Sequence, residues 1–530
     1  MIKFCGIYFF ALITINLSAQ FVEIRNGFFY LGEQKFLPMV MNYTVSIRHE
    51  NDSIYWASPA MSYYTRPEVI NCKDEKVCFD QMVSDFQLIK SYGFNTLRIV
   101  DFEFGIKNGN EFTDRPYTLD ISYYYGPLKF HEFVAPFEDH FKILDKIILA
   151  ANTVNLKIIL VTGGKEVHNF PYDEDYNIYL QYLAHRYQNE SCILAYDLLN
   201  EPSYFHKVKT KADAYYLVHK WCSSIRQNSK KQLITIGLTG ANTIYDWDPI
   251  MFDLDFASYH LYPDKNGGLE DYYNNLYWLS KNKSKPWIIG ETGFAASSIP
   301  SGKKNDGNLV EQSKFLTKTF RNCLDCGGAG YSWWQFHDVA WSVDYGMLDS
   351  FNQVKPFAKL FKDLANYVPN LENCKQPIEF YDPKLEKKKS YSGKILNQNN
   401  EPIPNAIIRA STNSGSSSIS YSKEDGSYTI YNKNKITAVH IAASGYEPIT
   451  KIIILSFPTI KLKPIEVNEE ILTKRIVKNN LEYCLVCSKR TYDICITECG
   501  QNKNCTKACK KLYSQNKKDC KKYKFTSKLI

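Results

Sequence analysis

A chain of 530 residues, 44% hydrophobic and 23% charged, is too long for one ordinary domain and too apolar to be disordered. Its formal net charge of +8 is unevenly placed, because the stretch from Val467 onward holds 15 Lys/Arg against 6 Asp/Glu, a balance of +9 that leaves about −1 for the rest. That excludes a nucleic-acid-binding body and assigns the basic character to the tail.

Met1 to Ala19 reads as a secretory leader, with Lys3 at its start, an apolar core from Phe4 to Ile15, and the small residues of Leu17-Ser18-Ala19 at its end. The core is too short for a comfortable membrane span, and no later stretch is long and apolar enough for one. Export and a soluble mature protein are expected. Cys5 falls within the leader, and the other 14 cysteines become candidate disulfides. Cys72 and Cys78 could clip one loop, while an odd count among Cys192, Cys222, Cys323, Cys326 and Cys374 leaves one over. Acceptor sequons stand at Asn42, Asn51, Asn189, Asn282 and Asn504.

After a hairpin turning at Asn26-Gly27, strand and helix patterns alternate. Strands are expected at 36–41, 94–100, 156–161, 192–199, 233–238, 254–259, 286–290 and 329–336. Helices are expected at 78–92, 135–153, 175–188, 210–228, 269–281, 307–323 and 354–367. Residues between the first strand and the first helix, with Trp56, Tyr63 and Tyr64, read as an aromatic loop. Eight strands in alternation with helices predict an α/β fold with a closed parallel (β/α)8 TIM barrel. An open doubly wound sheet is the alternative, and the first strand lacks the glycine-rich dinucleotide fingerprint that would favour it.

Beyond Lys384-Leu-Glu-Lys-Lys-Lys, short strands and turns such as Asp425-Gly426-Ser427-Tyr428 predict a small β-sandwich. The order of these pieces resembles the prealbumin-like module of carboxypeptidase regulatory-like or CnaB-type domains, which implies a spacer or binding appendage. The tail carries Cys484-x2-Cys487, Cys495-x3-Cys499, Cys505-x3-Cys509 and Cys520. Spacing of i, i+4 puts each later pair on one helix face. A hairpin near Gly500 would then nest Cys499–Cys505 inside Cys495–Cys509. A zinc site using Cys484-x2-Cys487 is the rival. The expected divisions are leader 1–19, barrel 20–370, linker 371–389, sandwich 390–466 and Cys-rich helical tail 467–530.

The run Ile193 to Leu199 is apolar, as in a strand buried on both faces, and stops at Asn200-Glu201-Pro202. The expected seventh strand runs into Glu291-Thr292-Gly293. Strands four and seven of a barrel face each other across its mouth, so Glu201 and Glu291 would share a cleft. Paired carboxylates are what glycosidic bond cleavage requires.

Asn-Glu-Pro on strand four, Gly-Glu-Thr-Gly on strand seven and Tyr331-Ser-Trp-Trp-Gln-Phe336 on strand eight resemble the retaining (β/α)8 glycoside hydrolases, above all the cellulase and mannanase family, glycoside hydrolase family 5. The resemblance spans about Phe21 to Tyr367. It implies Glu201 as acid/base, Glu291 as nucleophile, Asn200 as ligand of the sugar 2-hydroxyl, Arg98 as support for the nucleophile, His260 and Tyr262 as the strand-six pair, and Trp333 or Trp334 as a sugar platform. Trp333 and Trp334 should face opposite ways, so one belongs to the core. Trp56, Trp247 and Trp341 are further platform candidates. The histidine that many cellulases carry after strand three is missing from Thr162-Gly163-Gly164, and His168 comes later. The Glu201 carboxyl is expected to be raised in pKa beside a charged Glu291.

The resemblance implies a β-linked polysaccharide or oligosaccharide substrate, β-mannan before β-glucan, with no cofactor, no metal, no nucleic acid and no membrane span. A carbohydrate-binding or surface-adhesion protein and a transglycosylase are the alternatives. The module and basic tail could contact a cell surface or matrix.

Overall fold

The computed structural model describes residues 20–50, 53–59, 74–100, 105–107, 111–113, 118–120, 134–163, 173–205, 208–263, 269–281, 284–297, 308–338, 344–349, 351–374, 389–413, 417–432, 434–453, 459–467, 484–485, 488–489, 492, 495–496 and 499–522. The leader, Asn51, Tyr63, Tyr64, Cys72, His168, Asn282, Trp341, most of the linker and Cys487 lie outside these residues.

Eight parallel strands form the barrel: β1 Met39–Glu50, β2 Thr96–Val100, β3 Lys157–Val161, β4 Ile193–Asn200, β5 Leu233–Leu238, β6 Ala257–His260, β7 Trp287–Glu291 and β8 Tyr331–Trp333. Each pairs with the next, and β8 returns to β1 through Tyr331↔Met39, Ser332↔Val40 and Trp333↔Met41. The sheet is therefore closed, as its alternating pattern predicts. The helices between strands are α1 Glu75–Ser91, α2 Phe137–Val154, α3 Asp173–Tyr187, α4 Lys211–Arg226, α5 Glu270–Lys281, α6 Leu309–Asp325 and the short α7 Leu360–Leu364. Their starts are written in the sequence. Asp74 accepts from the Val77 amide to cap α1, and Thr210 accepts from the Asp213 amide to cap α4.

The core sits in two places. Tyr43, Phe86, Leu183, Tyr196, Trp247, Leu316 and Phe361 belong to the large cluster that includes the strand–helix contacts. A smaller cluster joins Val40, Ile159, Leu194, Phe256 and Ile288 to Phe29 of the N-terminal hairpin, whose ring meets Phe256 edge-on at 5.1 Å. That hairpin turns at Asn26 and Gly27, both at positive φ (51° and 79°), the backbone a two-residue hairpin requires.

Two expectations need correction. β1 does not stop at Met41 but runs on to Glu50. There it pairs antiparallel with Ser53–Pro59, which carries Trp56, and parallel with Gly105–Lys107. The expected aromatic loop is thus partly a hairpin. The alternation Tyr43, Val45, Ile47 against Asn42, Thr44, Ser46 and Arg48 is a strand signal that an apolar-run criterion misses. The expected helix 354–367 is a 3-10 turn, Pro356–Lys359, followed by α7.

Seven strands follow the barrel: β9 Lys389–Leu396, β10 Ile407–Thr412, β11 Ser417–Tyr421, β12 Ser427–Asn432, β13 Ile436–Ala442, β14 Ile449–Ile452 and β15 Ile460–Lys461. They form a three-stranded and a four-stranded sheet around a separate core that includes Ile395, Ile408, Tyr428, Ile430, Val439 and Ile441. This unit is docked on the barrel rather than tethered. Lys211 and Asp248 form an ion pair at 3.2 Å with both side chains fully buried. Lys211 also donates to the Ala443 carbonyl at 2.8 Å, and Asp248 accepts from Ser444 Oγ and the Gly445 amide. Tyr245 donates to the His440 carbonyl and Trp278 to that of Asn405.

The tail ends in α8, Lys503–Lys522. Disulfides Cys495–Cys509 and Cys499–Cys505 nest as the spacing predicts, and Cys484 pairs with Cys520. That bond occupies the Cys484 sulfur and displaces the zinc alternative. Cys326–Cys374 joins the end of α6 to the segment leaving the barrel. Cys192, Cys222 and Cys323 remain buried thiols, so more than one barrel cysteine is left over. Each sits in packed core, without a disulfide partner among the described residues.

Candidate active site

The expected site residues converge at the carboxyl ends of the strands, where barrel enzymes carry their chemistry. Arg98 on β2 lies at the centre and is fully buried. Its Nε donates to Asp197 Oδ2 at 2.8 Å, one terminal nitrogen to Glu291 Oε1 at 2.5 Å and to Asn42 Oδ1 at 3.1 Å, and the other to Asn200 Oδ1 at 2.7 Å. Burial alone would push the guanidinium down, but Asp197 and Glu291 outweigh it and hold it charged.

Glu291 ends β7. Besides Arg98 it accepts at Oε2 from the Tyr262 hydroxyl at 2.9 Å. The Tyr262 phenol is pushed far up, first by burial and then by Glu291 and Glu201, so it remains a donor. Both Glu291 oxygens are thus fixed.

Glu201 follows β4 with φ at 47°, left-handed backbone that non-glycine residues rarely adopt. Its amide donates to the Gly237 carbonyl at 2.9 Å, and its carbonyl accepts from Tyr204 within the helical turn Pro202–Phe205. Such backbone costs on the order of 1–3 kcal/mol and persists only where its surroundings impose it. Its side chain is 19% exposed against 7% for Glu291, so Glu201 is the more open of the two acids.

His260, at the end of β6, stands between them. Its Nδ1 is 3.0 Å from Glu201 Oε1 and 3.5 Å from Glu291 Oε1. Its Nε2 is buried without a hydrogen-bond partner among the described residues. The short contact points Nδ1 at the Glu201 carboxylate as a hydrogen-bond donor. The ring fits because position 237 is glycine, where a Cβ would lie 2.7 Å from Nε2. Burial raises the Glu201 carboxyl, but the His260 hydrogen bond, followed by the charges of His260 and Arg98, brings it below its ordinary range. That reverses the expected direction, because the sequence does not show the imidazole in contact. One ligand atom from each of Glu201, His260 and Glu291 lies within 4.8 Å of the others, spacing that could also hold a cation.

The two tryptophans separate as alternation requires. Trp333 is fully buried, its ring 4.3 Å from Phe357 and its Nε1 donating to the Tyr345 carbonyl at 3.0 Å. It is core, which corrects its place among the platform candidates. Trp334 is half-buried just beyond β8, its amide donating to the Thr292 carbonyl. Trp247 is also core, stacked near Trp221 at 6.4 Å. Asn42, read as a glycan acceptor, is buried and donates to the Gly290 carbonyl, Ser332 Oγ and the Trp333 carbonyl, so it cannot carry a glycan.

Three residues at the site escaped the sequence reading. Asn42 and Asp197 grip Arg98, and Asp197 also accepts from the Gly237 amide at 2.8 Å. Half-buried Tyr345 meets Tyr262 edge-on at 6.1 Å. The Tyr345 loop is fixed by buried Lys355, which donates to the carbonyls of Asp344 and Ala296.

Residues 71–338 match the family described as Cellulase (glycosyl hydrolase family 5). No curated protein matches the sequence. Among solved structures, β-glucuronidase 2 of Bacteroides uniformis is similar at 12% identity and TM-score 0.43, over 83% of this chain and 48% of that one, so the chain spans about half its length. A β-glucanase from Saccharophagus degradans in complex with cellotetraose shares 14% identity, TM-score 0.43, over 67% and 94%. The exo-β-1,4-mannosidase of Opitutaceae bacterium strain TAV5 shares 18%, TM-score 0.45, over 67% and 62%. With the family match covering just over half its residues, on a closed (β/α)8 barrel, this chain belongs to glycosyl hydrolase family 5.

Proposed function

We propose that the protein is an exported retaining β-glycoside hydrolase that cleaves a β-linked polysaccharide, β-mannan before β-glucan, by double displacement. The observation that carries this reading is the carboxylate pair. An oxygen of Glu201 and one of Glu291 lie within 4.8 Å. A retaining pair stands about 5–5.5 Å apart, whereas an inverting pair needs about 6.5–9.5 Å to admit water.

In the first step Glu291 attacks the anomeric carbon as the glycosidic C–O bond breaks. Glu201 gives its proton to the leaving oxygen, and a glycosyl ester forms on Glu291. In the second, Glu201 takes a proton from water, which attacks the same carbon and releases Glu291. Arg98 and Tyr262 favour Glu291 as the nucleophile, because they orient both its oxygens. The more open Glu201, with His260 beside it, suits proton exchange. Asn200, oriented through Oδ1 by Arg98, is the proposed ligand of the sugar 2-hydroxyl, and Trp334 the proposed platform. The intact acid pair argues against a barrel kept only for binding. The seven-stranded unit, whose strands run from Lys389 to Lys461, is read as a prealbumin-like module on its two-sheet order, and the leader-like pattern of Met1 to Ala19 supports export.

The test is the stereochemistry of hydrolysis, followed by proton NMR on mannan, lichenan, carboxymethylcellulose and aryl β-glycosides. A β-anomer formed first supports double displacement, and an α-anomer overturns it. Cleavage of lichenan or carboxymethylcellulose without mannan would move the substrate assignment to β-glucan.

A further inference from the structure

Helix α8 carries eight lysines and one acid, Asp519. At 100° per residue all eight positions fall within an arc of roughly 140°. Cys505, Cys509 and Cys520 fall on the opposite side, each bonded to the preceding segment. Lys503, Lys507, Lys510, Lys517 and Lys521 are exposed and form a stripe about 27 Å long. Like charges at i, i+4 destabilise a helix in isolation. Here three disulfides hold them in register. A tail that only needed solvation would gain nothing from that rigidity.

We propose that this stripe docks the protein on an anionic polysaccharide, a polymer bearing carboxylate or sulfate groups. Charge complementarity and the composition of the face carry the choice. Every basic residue of α8 is lysine, a compact charge on a flexible stem that follows irregularly spaced anions, where arginine would select bidentate geometry. The side opposite the stripe is cross-linked and exposes one large apolar residue, Leu512, so it offers no face to enter a bilayer. Tyr513 is stacked on Tyr492 at 4.8 Å, with Lys517 over its ring, so among the described residues of the tail these rings offer no free platform for bases. Retention on a charged matrix would raise the local concentration of the barrel near neutral chains in the same matrix.

The full chain is tested on polygalacturonate, dextran sulfate and neutral dextran supports, and on phosphatidylserine/phosphatidylcholine vesicles. The native protein should bind one or both anionic polymers at about 20 mM salt and elute as screening rises, and it should pass through neutral dextran. Substituting Gln at Lys507, Lys510, Lys517 and Lys521 should weaken binding roughly 100-fold, with aryl-glycoside hydrolysis unchanged. The Arg variant at the same four positions should bind as the native protein does, which separates lost charge from a misfolded tail. Three outcomes overturn the proposal: no binding to either anionic polymer, equal binding by the Gln variant, or binding to vesicles alone. None of them depends on the hydrolytic reading.

Discussion

Lys211 and Arg98 are both buried cations paired with carboxylates, and they are used differently. Lys211 meets one acid, Asp248, and the remaining groups of both are met by backbone and Ser444 of the docked unit. Arg98 meets two acids, and one of them, Glu291, faces the cleft. The first network is closed and fixes two parts of the chain together. The second holds one carboxylate in surplus, oriented at the mouth of a barrel. Burial of a charged pair is thus no mark of function by itself. An extra, aimed carboxylate is the informative feature.

Removing the surplus carboxylate gives the largest effect. Glu291→Ala should lower kcat on aryl β-glycosides by roughly 10^5-fold or more. Glu201→Ala should cost about 10²–10⁴-fold on polysaccharide but little on dinitrophenyl glycosides, whose leaving group needs no proton. Azide should rescue that variant. Near-native polysaccharide cleavage by either variant would sink the assignment. Asp248→Ala leaves Lys211 buried and unpaired, and should destabilise the protein by roughly 3–5 kcal/mol in denaturant melts. Its kcat below the transition should stay native, and a large loss there would erase the contrast between the networks. Asp197→Asn keeps the shape but removes one of the two charges on Arg98. Misdirection of the guanidinium should lower kcat up to about 100-fold with a smaller change in KM.

The smallest change concerns pH. His260→Ala removes the donor that stabilises ionised Glu201, so the Glu201 carboxyl should rise. Protonated Glu201 then persists to higher pH, and the basic limb of kcat/KM on polysaccharide should move upward. A downward move would place the acid elsewhere.

The fold was legible because strand and helix periods alternate and the buried strands are short apolar runs. β1 was cut short because polar Asn42, Thr44, Ser46 and Arg48 interrupt its apolar residues, although they are the other face of the strand. The two acids were legible because they end strands that face each other. Asp197 was not, since within Ala195-Tyr196-Asp197-Leu198 an acid has no visible partner until the closed barrel brings Arg98 of β2 and Gly237 of β5 to it. Tyr345 lies on a loop whose course is set by buried Lys355, a contact without periodicity. The unequal fates of Trp333 and Trp334 follow from strand alternation, but which faces the core depends on Phe357, far along the chain.

The distribution of sulfur in the chain bears on how it must be made. Among the described residues, three of four disulfides staple the tail, while Cys192, Cys222 and Cys323 stay reduced inside the barrel. Burial pushes the Cys192 thiol up to about 12 and the other two thiols up as well, which disfavours the reactive thiolate in the finished fold. In the nascent chain those thiols are open to oxidation and can capture tail cysteines. Barrel closure before tail cross-linking would keep the two sets of cysteines apart.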